Sequence, residues 1–237
     1  MIIAFILFIF YVSFFFLPGR LRQKVYAIIE PIPYAFKAWS PDLHQQLAER
    51  YGQHKHLPKG YEKQALLALS FYPELKLTDI EFRLGSYVFA HTCRPKITAL
   101  LNPFGKRKYL ITISDKLEGP LNATLFDSLP FEAQVGVLGH ELAHILDYES
   151  KSSAALIKDG IGYGFYEYRK AFENATELRT IRKGLGYQLL AWSQTVHHLL
   201  KEDGRGDLYY SPEQILSEID QLPAYQKTRS SEKRLTA

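Results

Sequence analysis

The sequence predicts an α+β fold, and three observations carry that prediction. Short segments rich in β-branched and aromatic residues cluster between residues 82 and 114. Segments with helical periodicity flank them on both sides, and the longest carries His140, Glu141, Leu142, Ala143 and His144 in succession. The 237 residues suffice for one sizeable domain, with no internal repeat or long low-complexity linker to divide them.

Taken in order, residues 1–17 are apolar except for Ser13 and the hydroxyl of Tyr11. As a helix they would extend roughly 25 Å, just under the hydrocarbon thickness of a bilayer. No Lys or Arg stands before Arg20, and the run ends in Phe-Phe-Phe-Leu-Pro-Gly rather than in small residues, so an uncleaved N-terminal transmembrane helix is expected as a membrane anchor. Arg20, Arg22 and Lys24 come next, and the positive-inside tendency places them, with the domain beyond, in the cytoplasm of a single-pass membrane protein. Residues 18–41 read as a juxtamembrane connection, and residues 42–222 as the folded domain.

Within that domain, helices are expected at about 42–51 and 61–72, separated by Gly and Pro. Strands are expected at 82–90, 96–101 and 108–114, separated by Cys-Arg-Pro and Asn-Pro-Phe-Gly turns. Asp127 and Ser128 are cap-type residues ahead of Pro130, which suits a first helical position, and the following run continues unbroken to Tyr148. Residues 152–170, with Gly160, Gly162 and Gly164 among aromatics, read as an irregular, membrane-facing or lid-like segment. From Ala175 the chain reads helical towards Leu200, with Trp192, Val196 and Leu199 at packing positions. Residues 223–237 form a basic polar tail. The net charge of +4 suits an anionic membrane surface, so membrane lipid is an expected partner, and no nucleic-acid motif is present. The single cysteine, Cys93, forms no intrachain disulfide and reads as a small buried residue.

Two histidines four apart on a helix share one face, so both imidazoles can bind one Zn²⁺ while the intervening Glu141 reaches a water. A chain of this composition would contain the pattern by chance at a rate of about 0.02. Phe131, Val135, Leu138, Leu142 and Ile145 recur at spacings of three and four and form a core stripe. His140 and His144 lie roughly 200° from it, away from that core. A histidine third ligand three residues after a helix-breaking glycine is excluded, because Asp147 and Ser150 stand at those positions. A glutamate from a second helix remains, and the stretch Ala171 to Leu178 offers Glu173 and Glu177, one turn apart on one face.

With these motifs the chain resembles the gluzincin proteases of the HtpX and CAAX-processing type, in which the first motif is followed by a helix reading E-x-x-A-D. The resemblance covers residues 80–200 at most. It implies a zincin-like metalloprotease domain with a small antiparallel sheet, zinc held by His140, His144 and Glu173, and Glu177 orienting a histidine ligand. Thr176 stands where that family favours alanine and Glu177 where it favours aspartate; the longer side chain at 177 is the alternative ligand. An edge strand beside the metal helix pairs with extended substrate in such folds, and Tyr109 to Ser114 is the candidate.

The expected activity is hydrolysis of peptide bonds in a peptide or protein substrate, with Glu141 as general base towards a zinc-activated water. Tyr166, Tyr168, Arg179, His197 and His198 are all open as oxyanion donor. The alternative is a membrane-tethered interaction or regulatory protein of the same fold with little catalysis, against which an intact Glu141 argues. A metal-storage role lacks further His or Cys clusters.

Overall fold

The computed structural model describes residues 31, 39–87, 90–96, 106–117 and 119–228. The first half contributes α1 (Pro41–Tyr51), β1 (Lys55–His56), α2 (Glu62–Ser70), β2 (Asp79–Gly85), β3 (His91–Pro95) and β4 (Lys108–Ser114). Then come α3 (Phe131–Glu149), α4 (Ser153–Gly162), α5 (Tyr166–Thr180), α6 (Gly186–Glu202) and α7 (Pro212–Gln221). The result is a mostly helical α+β architecture with one small sheet.

Two parts of the expected architecture are corrected. The sheet is mixed rather than antiparallel: its order is β1-β2-β4-β3, with β2 parallel to both β1 and β4, and only β3 antiparallel to β4. The expected transmembrane helix at 1–17 lies outside the described residues, and no helix among the described residues is long and apolar enough to cross a membrane, so the structure gives that element no support.

Strand order explains the sheet correction. The run Tyr109-Leu110-Ile111-Thr112-Ile113-Ser114 is buried at every position because β4 is interior, flanked by β2 and β3. The residues Cys93, Arg94 and Pro95, expected as a turn, form the second half of β3 instead. Proline is tolerated there because β3 is an edge strand. Of the strand expected at 96–101, residues 97–101 lie outside the described residues.

Helix α3 begins one residue later than expected: Pro130 is its N-cap, and Asp127 and Ser128 belong to a separate 3-10 turn, Phe126–Ser128. Residues 133–147 are all buried, so the helix is enclosed on every side rather than amphipathic. It packs against α2, β3, α5 and α6. Gly136 makes the α6 contact possible, since a Cβ there would lie 2.3 Å from the carbonyl oxygen of Gln188. From the other side Tyr72 donates to the carbonyl of Gly139 at 2.6 Å.

The 152–170 segment is helical, not irregular. Ser152 caps α4 by accepting from the Ala155 N–H at 3.2 Å, and a brief turn at Tyr163 to Phe165 leads into α5. The long helix expected from Ala175 to Leu200 is broken after Thr180 by a wide turn, Ile181–Leu185, in which Gly184 takes a φ of 97° open chiefly to glycine. Tyr225, in the stretch expected as tail, is buried and mends that break: its hydroxyl donates to Ile181 O at 2.6 Å and accepts from Gly186 N at 2.7 Å.

Candidate metal centre

The fold brings His140 and His144 of α3 together with Glu173 of α5. Nε2 of His140 is 3.1 Å from Nε2 of His144 and 3.0 Å from Oε2 of Glu173, and His144 Nε2 is 3.4 Å from the same oxygen. Zinc bonds of about 2.0–2.1 Å in a tetrahedron require ligand atoms roughly 3.3 Å apart. All three edges match that spacing, and the donor set of two imidazoles and one carboxylate suits zinc. The three residues are buried, Glu173 to 2 % exposure. Burial alone would raise the Glu173 carboxyl, but His144 and His140 hold it well below the usual carboxylate range. Burial would lower His140, and the Glu173 carboxylate reverses this to a net rise.

Glu177 does not join this group. It is wholly buried, its Oε2 accepts from the Tyr210 N–H at 2.6 Å, and burial pushes it up to about 8 despite opposition from His140. Its other oxygen, Oε1, and the Nδ1 of His140 are both buried with no hydrogen-bond partner among the described residues. Of the two glutamates, Glu173 is therefore the one grouped with His140 and His144 where a metal could be held, and Glu177 bonds the Tyr210 N–H without a hydrogen bond to either imidazole.

The histidines sit in aromatic walls. His144 stacks on Phe172 at 5.3 Å and on Tyr148 at 6.0 Å, while His140 stacks on Trp192 at 6.4 Å. On the outer side of His144, Thr176 Oγ1 lies 3.3 Å from Nδ1. Behind α3, buried Asp147 bonds Arg179 at 3.0 Å and also Lys151, and Lys151 reaches Asp159 at 2.6 Å, which ties α3, α4 and α5 together. Arg179 is thus committed to this brace, not to the site.

Glu141 lies where two cavities meet. One, of about 170 Å³, runs between α3 and α6 over Leu117, Val137, Val196 and Leu208. The other, of about 390 Å³, runs along β3 past Cys93, Arg94 and Pro95 towards Phe172. The edge strand beside the centre is therefore β3, and the expected candidate, Tyr109 to Ser114, is the interior strand behind it. Burial raises the Glu141 carboxyl, partly offset by His144 and His140. Burial likewise raises the Cys93 thiol well above its ordinary value, as suits an inert packing residue.

The open list of oxyanion donors finds no member here. Tyr166 is exposed, Tyr168 donates to Asp159 at 2.6 Å, and neither His197 nor His198 lines either cavity. Tyr163, His91 and Tyr209 line both cavities instead. Tyr163 donates to Oε1 of Glu173 at 2.5 Å, and burial together with that carboxylate pushes its phenol far up. His91 was marked by no local signal; only the pairing of β3 with β4, which sets His91 opposite Ile113, carries it to the centre. Tyr163 had only a weak one, an aromatic ten residues before Glu173 in a stretch that reads as irregular.

Comparison with known protein families, with curated proteins and with solved structures finds no match for this chain. The resemblance to gluzincin proteases rests on its two short motifs alone.

Proposed function

We propose that the protein is a zinc-dependent endopeptidase. The observation that supports this most is the triangle of His140 Nε2, His144 Nε2 and Glu173 Oε2, with edges of 3.0 to 3.4 Å, beside an uncommitted Glu141. When bound by these three residues, zinc supplies Lewis acidity that lowers the pKa of a water and polarises a carbonyl. Glu141 takes the proton of the attacking water and delivers it to the departing amine as the C–N bond breaks. A carboxyl raised by burial is the better base and then the better acid for this exchange. The Tyr163 hydroxyl, kept protonated by its surroundings, is the donor that this reading assigns to the oxyanion, its one proton turning there from Glu173 Oε1, to which it is given in the free protein. Cavities on both sides of Glu141 accommodate chain in both directions from the scissile bond, which favours an endopeptidase, with β3, the outer strand among the described residues, offering its edge to an extended substrate.

The test is hydrolysis of a mixed peptide library by the wild type and by Glu141→Gln, read by mass spectrometry. Cleavage internal to peptides by the wild type, abolished by chelator, restored by zinc and lost in Glu141→Gln, is the expected outcome. Equal cleavage by both proteins would remove Glu141 as base and with it this mechanism.

A further inference from the structure

We propose that Thr176 is the positioning residue that fixes the tautomer of His144 and so presents Nε2 of that ring as a free lone pair. This rests on the metal-binding reading of the site but not on peptide hydrolysis. Thr176 lies on α5 three residues beyond Glu173 and is 1 % exposed. Among the described residues its hydroxyl makes two polar contacts. Oγ1 is 2.9 Å from the carbonyl oxygen of Phe172, one turn back, and 3.3 Å from Nδ1 of His144.

The proton count settles the direction of both contacts. A carbonyl oxygen can only accept, so the one hydroxyl proton of Thr176 goes to Phe172. Towards His144 the hydroxyl then offers only lone pairs, and the Nδ1 atom must carry the hydrogen. A neutral imidazole has a single N–H. Nε2 is therefore bare, and it is this nitrogen that lies 3.1 Å from His140 and 3.4 Å from Glu173. The stacked rings of Phe172 and Tyr148 hold the plane of the imidazole, and Thr176 fixes its proton.

The two histidines are consequently held differently. His140 has a buried Nδ1 with no partner among the described residues, whereas the Nδ1 of His144 is met by a hydroxyl. Alanine at 176 would remove the acceptor and leave that N–H buried without one. Serine would retain the hydroxyl, and valine would retain the shape alone. A hydrogen bond to the far nitrogen of a ligating histidine fixes its orientation and raises its basicity, and losing one lowers metal affinity about 10 to 100-fold.

The experiment is a chelator-competition titration of zinc into the wild-type chain and the variants Thr176→Val, Thr176→Ala and Thr176→Ser, with the thermal midpoint of each metal-free protein measured alongside. Thr176→Val and Thr176→Ala are expected to bind zinc about 10 to 100-fold more weakly while Thr176→Ser stays within about threefold of wild type. A merely structural role would shift the metal-free midpoint and spare affinity. Wild-type affinity in Thr176→Val, or affinity in Thr176→Ser as weak as in Thr176→Val, overturns the assignment to Thr176 alone. A wild type that takes up no zinc overturns the metal centre itself.

Discussion

The carboxylate of Glu173 meets Nε2 of His140 at 3.0 Å although 33 residues separate them. Glu177, on the same helix, ends against the Tyr210 N–H instead. One turn of α5 thus separates the carboxylate that meets the histidines from one that does not. Glu173→Gln is expected to abolish tight zinc binding. Glu177→Gln, whose side chain bonds the Tyr210 N–H and neither imidazole, should stay within about tenfold of wild type, short of the loss that removing a ligand's hydrogen-bond partner brings. Zinc titrations of both variants, with His144→Ala as the lost-ligand control, check this; the reverse ranking would exchange the two roles.

Tyr163→Phe removes the phenol that bonds Glu173 Oε1 and borders both cavities. Loss of an oxyanion donor lowers kcat by about 100 to 1,000-fold. The expected split is a large fall in kcat with a small change in KM on a single cleaved peptide. A change confined to KM would make Tyr163 a binding residue only.

Much of the centre was legible because it is local. The His-Glu-x-x-His spacing needs only one helix, and the two candidate glutamates needed only the next acidic helix with its pair on one face. Choosing between them required the packing of α5, because a one-turn step along a helix leaves the sequence pattern unchanged. The edge strand was misplaced for a similar reason: residue pattern identifies β4 as a strand but not that β3 lies outside it. The break at Gly184 was hidden by flanking residues that are all helix-compatible, and the fold reveals it through a positive φ and the hydroxyl of Tyr225. His91 was reached only by long-range pairing.

At Gly136 the backbones of α3 and α6 come close, and an alanine Cβ would meet Gln188 O at 2.3 Å and Leu189 N at 2.8 Å, both backbone atoms with little freedom to yield. Gly136→Ala should destabilise the fold by about 1–3 kcal/mol, the usual range for an overpacked core. A lowered urea midpoint is the expected reading; an unchanged one would mean that the two helices separate without strain.

Burial, helped by repulsion from His140, depresses His91 from 6.5 to about 3, and its Nε2 is buried without a partner among the described residues. Above pH 6.5 the ring is neutral in both folded and unfolded chains. As pH falls from 6.5 towards 3, the unfolded chain takes up a proton that the folded ring refuses, so stability is lost across that window. The slope is at most about 1.4 kcal/mol per pH unit for one proton. His91→Leu removes this contribution, so its stability should fall less steeply with acid than that of the wild type in parallel urea titrations. Parallel profiles would show that His91 titrates normally in the folded protein.

Metal content measures the central claim most directly. Protein purified without chelator and analysed by inductively coupled plasma mass spectrometry should carry about one zinc per chain, as two imidazoles, one carboxylate and a water complete one tetrahedral site. His144→Ala, prepared in the same way, should carry almost none. A wild type free of zinc that also fails to take it up on titration, or a His144→Ala variant that retains a full equivalent, would contradict the assignment of His140, His144 and Glu173 as a zinc centre.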